Sequence, residues 1–198
     1  MSKQANIPTQ QELTKLLENV RKDKPHGLRD WTILHLSYYA GLRAKEIASL
    51  MLQDMYRNGE PLDETYLYPN QTKNTTDKKD GRKIYLSHPK VQRALREYLS
   101  GESTIVEKRP LFISARGLSI SANSMVHIIK RIYKRHGLGY LSSHSGRVFF
   151  ATYLCENFPE MDAKELQDYG GWKSIDMAYH YRKVNPKKQQ DRLKQATF

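Results

Sequence analysis

Ser142-Ser143-His144-Ser145-Gly146-Arg147-Val148-Phe149-Phe150-Ala151-Thr152 is the stretch from which the rest of this 198-residue chain can be read. Ser145 opens a helix predicted to run to Asn157, and His144 and Arg147, three apart at its start, fall on one face where both can approach a single phosphate. The orphan N–H groups of that helix end would add to the binding of an anion. His-x-x-Arg taken alone is common by chance, so its meaning depends on what surrounds it. Further along the same helix stands Cys155, the only cysteine, which excludes an internal disulfide and a multi-cysteine metal site and reads as part of a buried helix face.

The charge of the chain agrees with a phosphate partner. Lys and Arg number 33 against 21 Asp and Glu, a formal net charge of +12, which favours a polyanion over an acidic or neutral surface without naming it. The excess is organised. Lys130, Arg131, Lys134 and Arg135 form i, i+4 pairs along one predicted helix and are candidate DNA-binding residues, and Arg182 to Phe198 carries six basic residues against one acidic. No run approaches the roughly 20 apolar residues that span a bilayer, and the first residues lack the apolar core of a signal peptide, so a cytoplasmic, nucleoid-associated protein without a membrane partner is expected. The length suits one substantial core, with or without a tail.

Punctuation marks mostly helices and one hairpin. Thr9-Gln10-Gln11-Glu12 is a capping box opening a helix to about Val20, and a second helix from Leu28 to Ala40 stops at Gly41, with a third starting near Arg43. After a turn at Asn58-Gly59, alternation at Tyr66 and Tyr68, then at Ile84 and Leu86, predicts two strands around the charged loop Lys73 to Gly81. Helices are further predicted from Pro89 to near Gly101, Ser121 to about His136, Asp162 to Asp168, Ser174 to about Tyr181, and near Asn185 to Lys194.

Three further stretches bear on function. Gly41-Leu42-Arg43-Ala44-Lys45-Glu46-Ile47 places an arginine just past a helix-ending glycine, where it can cap the turn or hold two phosphate oxygens, with Glu46 one turn later able to fix it. Gln71-Thr72-Lys73-Asn74-Thr75 sits at a predicted strand end, and Gly170-Gly171-Trp172-Lys173-Ser174-Ile175 precedes the tyrosines Tyr179 and Tyr181. In this order, from about residue 9 to residue 185, the motifs closely resemble the catalytic domain of the tyrosine recombinases, the lambda-integrase family. Gly-Leu-Arg-x-x-Glu-Ile is that family's pattern, and Val148-Phe149-Phe150-Ala151-Thr152 resembles its helix anchoring the second arginine. The departures are Gly146 and Val148, where many members have leucine and a basic residue, and Trp172, where many have a second histidine and some a tryptophan.

The resemblance implies an α+β, mostly helical fold with a small β-hairpin sheet, and the catalytic set Arg43, Lys73, His144, Arg147, Trp172 and Tyr181. The family places its nucleophile about nine residues after the histidine or tryptophan position, which selects Tyr181 over Tyr179. Lys78, Lys79 and Lys83 lie in the same region as Lys73 and remain alternatives for the general acid. The implied chemistry needs no metal and no cofactor: tyrosine attack on a phosphodiester gives a 3'-phosphotyrosyl link, later reversed by a 5'-hydroxyl. Residues 1–184 would form the catalytic domain and 185–198 a C-terminal tail exchanged between protomers, without the N-terminal core-binding domain of most integrases. Implied partners are double-stranded DNA, a homotetramer on it, and accessory DNA-bending proteins. Strand relaxation of the type IB topoisomerase kind and non-catalytic DNA regulation are the alternative readings.

Overall fold

The structure, a computed structural model, describes residues 5–71, 81–100, 108–158, 160–172 and 176. Thr9 and Glu12 satisfy each other's backbone N–H groups at 3.2 and 2.8 Å, and this box opens helix α1 (Gln10–Lys22), whose Leu13, Leu16, Leu17 and Val20 form one buried stripe. Helix α2 (Gly27–Tyr39) differs in being buried nearly all round, from Trp31 through Tyr38. It is the central helix, packed by α1 and by two helices later in the chain. Its end is set by Gly41, whose φ of 65° lies in the left-handed region, and the Leu42 N–H closes the turn on the Leu36 carbonyl at 3.1 Å.

Helix α3 (Ala44–Ala48) follows at once. Strands β1 (Tyr56–Arg57) and β2 (Glu60–Pro61) then pair antiparallel about Asn58 and Gly59, whose φ values of 54° and 86° fit the tight hairpin that an Asn-Gly pair favours. This second hairpin corrects the expectation of one, because two-residue strands are too short to show an alternation. Strands β3 (Glu64–Leu67) and β4 (Arg82–Tyr85) form the expected hairpin, in the register Leu67 to Arg82 and Thr65 to Ile84. Gly81 stands where any Cβ would run into the Leu67 carbonyl and the Tyr66 ring, so a glycine is needed where β4 begins.

Helix α4 (Pro89–Tyr98) and helix α5 (Ala122–Arg135), capped by His88 and Ser121 respectively, complete the packing around α2, with α5 also covering α3. Helix α6 (Ser145–Asn157) and helix α7 (Ala163–Gly170) follow. The chain divides into two compact units, Met1–Phe150 and Ala151–Phe198, with the boundary inside α6. Cys155 is half-buried, which corrects its reading as a core residue. The helices expected at Ser174–Tyr181 and Asn185–Lys194 lie outside the described residues, apart from Asp176, which is helical. Among the described residues no helix is long and apolar enough to cross a membrane.

Candidate active site

The first unit gathers three guanidiniums around one carboxylate. Glu46 is fully buried, one turn into α3. Its Oε2 accepts the backbone N–H of Arg43 at 2.8 Å, and its Oε1 accepts the Arg43 Nη1 at 2.9 Å. Oε2 also accepts Nη2 of Arg82 at 3.0 Å. The carboxylate thus caps the start of the helix and orients the arginine preceding it, as the spacing predicts. Burial by itself would raise the Glu46 carboxyl, but the guanidiniums of Arg82, Arg43 and Arg147 hold it down to about 2. It is an anion throughout the physiological range, and the surplus of three cations over one anion favours the arrival of a phosphate.

Arg147 is only 1% exposed, and its Nη1 donates to the Gly41 carbonyl at 2.7 Å. The left-handed glycine therefore does two things: it ends α2, and it turns a carbonyl toward the second arginine. A Cβ at Gly41 would collide with the Phe150 ring, one turn beyond Arg147 on α6. Close approach also explains Gly146, since a Cβ there would meet the Ser37 side chain of α2. The glycine that departs from the family pattern lets the start of α6 lie against α2, and Val148 is buried rather than basic. His144, exposed, immediately precedes α6, and its backbone N–H donates to Ser142 Oγ at 3.2 Å.

Arg82 was not singled out in the sequence, yet the signal was there. Strand alternation puts Arg82, Ile84 and Leu86 on one side of the hairpin, and the latter two are core positions. A charge in phase with a core face requires a buried partner. Glu46 is that partner, and the Arg82 side chain keeps 11% exposure.

Trp172 belongs to the second unit, where it is 5% exposed. Gly171, at φ 56°, caps α7 in the left-handed conformation, and a Cβ on Gly170 would occupy the place of the indole ring. The Gly-Gly-Trp sequence is thus explained locally by one glycine for the turn and one for the ring. Lys73, Tyr181 and the competing Lys78, Lys79 and Tyr179 lie outside the described residues.

Lys130, Arg131, Lys134 and Arg135 are exposed on α5 and line a groove of about 800 Å³, together with Lys24 and His26 just before α2 and Arg29 in its first turn. Arg135 also donates to Asp23 at 2.7 Å, and Arg29 pairs with the buried Asp30 at 2.7 Å. The groove and the arginine cluster sit at opposite ends of α2, whose 13 residues span roughly 20 Å.

This mostly helical α+β domain sets the buried Arg147 and the half-buried Arg43 beside a left-handed glycine, and comparison with known proteins assigns its family. The profile of the Phage integrase family matches residues 7–188, and the chain belongs to that family. It is 26% identical over 175 residues to the tyrosine recombinase XerC of Pelobacter propionicus, covering 88% of this chain and 54% of that protein. It is 29% identical over 185 residues to the tyrosine recombinase XerD of Neisseria meningitidis serogroup A, covering 90% and 60%. The chain spans little more than half the length of these relatives. Its fold is like that of the Tn1549 transposon integrase solved in complex with transposon right end DNA, with a TM-score of 0.72 at 17% identity over 97% of this chain and 67% of that one.

Proposed function

We propose that this chain is the catalytic part of a site-specific recombinase that cuts and rejoins double-stranded DNA through a 3'-phosphotyrosyl intermediate. The observation that carries the reading is the convergence of Arg43 and Arg147, distant in sequence, on one short segment through Glu46 and Gly41. Paired guanidiniums held by buried acceptors are preorganised for charge developing on phosphoryl oxygens, so little reorganisation is needed as the reaction proceeds.

In this reading Tyr181 attacks phosphorus, the bond to the 5'-oxygen breaks, and Lys73 gives that oxygen its proton, while His144 assists at the tyrosine. Arg43, Arg147 and the Trp172 indole N–H stabilise the phosphoryl oxygens. A 5'-hydroxyl from a second strand reverses the step, so the energy of the bond is conserved without metal or cofactor. The groove along α5 follows the duplex phosphates through Lys130, Arg131, Lys134 and Arg135. The resemblance of its motifs to the family implies a finer picture: a homotetramer on DNA coupled by residues 185–198, accessory DNA-bending proteins, and action at the nucleoid in the cytoplasm.

A duplex nicked near the target site tests the chemistry, because the short cleaved strand diffuses away and traps the adduct. Tyr181→Phe should bind this duplex as the wild type does yet form no covalent complex, while Tyr179→Phe still forms one, in the presence of a chelator. An adduct peptide mapping to Tyr179 would sink the nucleophile assignment. Loss of cleavage with chelator, restored by magnesium, would sink the mechanism.

A further inference from the structure

The groove beside α5 is lined by the cations Lys24, Arg29, Lys130, Arg131, Lys134 and Arg135, and only Arg29 and Arg135 meet a carboxylate among the described residues. The two pairs differ in kind. Arg29 gives both Nε and Nη2 to Oδ1 of the buried Asp30, at 2.9 and 2.7 Å, and its side chain keeps 11% exposure, so it is locked into the protein. Arg135 gives only Nη1 to Oδ2 of Asp23, at 2.7 Å, and its side chain is 47% exposed. Asp23 directly follows α1, and the same Oδ2 meets Nε2 of His136, directly after α5, at 3.0 Å. Burial would raise this carboxyl, but hydrogen bonds from His136 and Arg135 hold it below its ordinary value, so it meets Arg135 as an anion. A single hydrogen bond to a half-exposed guanidinium does not fix its direction, unlike the hold of Glu46 on both the backbone and the side chain of Arg43. An exposed pair adds little to stability either. What the carboxylate does is occupy, with an anionic oxygen, a donor that a phosphate oxygen would otherwise take.

Resting on the reading of this groove as a track for duplex phosphates, we infer that Asp23 is an intramolecular competitor for Arg135 that lowers the sequence-independent affinity of the groove for DNA. Lys24, Lys130, Arg131 and Lys134 are exposed and can neutralise phosphates directly, whereas Arg135 must exchange one anion for another. Contacts to the DNA backbone carry no sequence information. Weakening one of them therefore shifts the balance of binding toward contacts that distinguish the target from other DNA.

The test is a double-mutant cycle in the full chain, read by fluorescence anisotropy with a labelled duplex of arbitrary sequence over a series of salt concentrations. Asp23→Asn and Asp23→Ala should each tighten binding about 2- to 5-fold at low salt, the scale of one exposed ion pair. Each should also steepen the slope of log affinity against log salt by up to about 0.9, for one further phosphate neutralised. Both variants keep the cap of α1, which uses the Asp23 backbone N–H to the Val20 carbonyl at 3.1 Å. Adding Arg135→Ala should abolish both gains, and in the otherwise unchanged chain Arg135→Ala should weaken binding less than Lys130→Ala does. The cycle is repeated with His136→Gln, because that ring shares the carboxylate, and the coupling between Asp23 and Arg135 should persist. Weaker binding in both Asp23 variants would make Asp23 an orienting group and overturn the proposal. A gain that survives Arg135→Ala, and so reflects net charge alone, overturns it too, as does no change in either variant. If instead Lys130→Ala and Lys134→Ala leave affinity and slope untouched, the duplex does not lie in this groove, and the underlying reading falls together with the proposal.

Discussion

Glu46 shows how a single buried residue organises a site otherwise made of like charges. Removing its charge while keeping its shape, as in Glu46→Gln, leaves Arg43, Arg82 and Arg147 facing one another without an anion. Breaking a buried ion pair in this way costs about 3–5 kcal/mol, so denaturant unfolding should register a decrease of that order, along with loss of cleavage. The acid dependence follows from the same group. Its folded value of about 2 lies below the ordinary 4.5, so the stabilisation is complete above about pH 4.5 and disappears as pH falls toward 2. That difference corresponds to about 3 kcal/mol, and Glu46→Gln should flatten the pH profile of stability across this window. A profile as steep as that of the wild type between pH 4.5 and 2 would show that another carboxylate dominates.

At the scale of elements, the decisive junction is the meeting of the end of α2 with the start of α6. Gly41 supplies a left-handed turn, a carbonyl for Arg147 and room for the Phe150 ring, whereas Gly137, with φ at 76°, has nothing within 4 Å of a would-be Cβ. Gly137→Ala should therefore cost only the backbone strain, about 1–2 kcal/mol. Gly41→Ala should cost clearly more, since the ring must move as well, and it should lower cleavage because the Arg147 acceptor shifts. Thermal melts of the two variants decide this. Equal destabilisation with cleavage unchanged in both would mean that the junction is plastic and that Arg147 is held by other groups.

At the scale of the whole molecule, part of the excess of basic residues behind the net charge of +12 lines a groove set at one end of α2, with the arginine cluster at the other. If the groove follows duplex phosphates, replacing Lys130, Arg131, Lys134 and Arg135 together with alanine should weaken binding of any sequence. It should also reduce the slope of log affinity against log salt by about 0.9 for each phosphate that is no longer neutralised. Isolated cleavage of tightly bound substrate should be spared. An unchanged slope in fluorescence anisotropy titrations would assign these four residues to solubility rather than to DNA.

The described helices and their caps were legible in the sequence, because Thr9, Gly41, Pro89, Ser121 and Asp162 act through local hydrogen bonds and backbone preferences that neighbouring residues specify. The sequence also made the pair Arg43 and Glu46 legible, since a three-residue spacing on one helix fixes their distance. Strand alternation carried Arg82 inward as well, but a period says only that a residue faces the core, never which residue it will meet there. Tertiary structure alone decided that Arg82 shares the Glu46 carboxylate, that Arg147 binds the Gly41 carbonyl, and that Gly146 exists to admit Ser37. The two-residue strands around Asn58-Gly59 were invisible for a related reason, being too short to carry a pattern and held by their turn. What local chemistry imposes can be read along the chain, whereas a buried charge finds its partner only when distant segments are packed to within about 3 Å of one another.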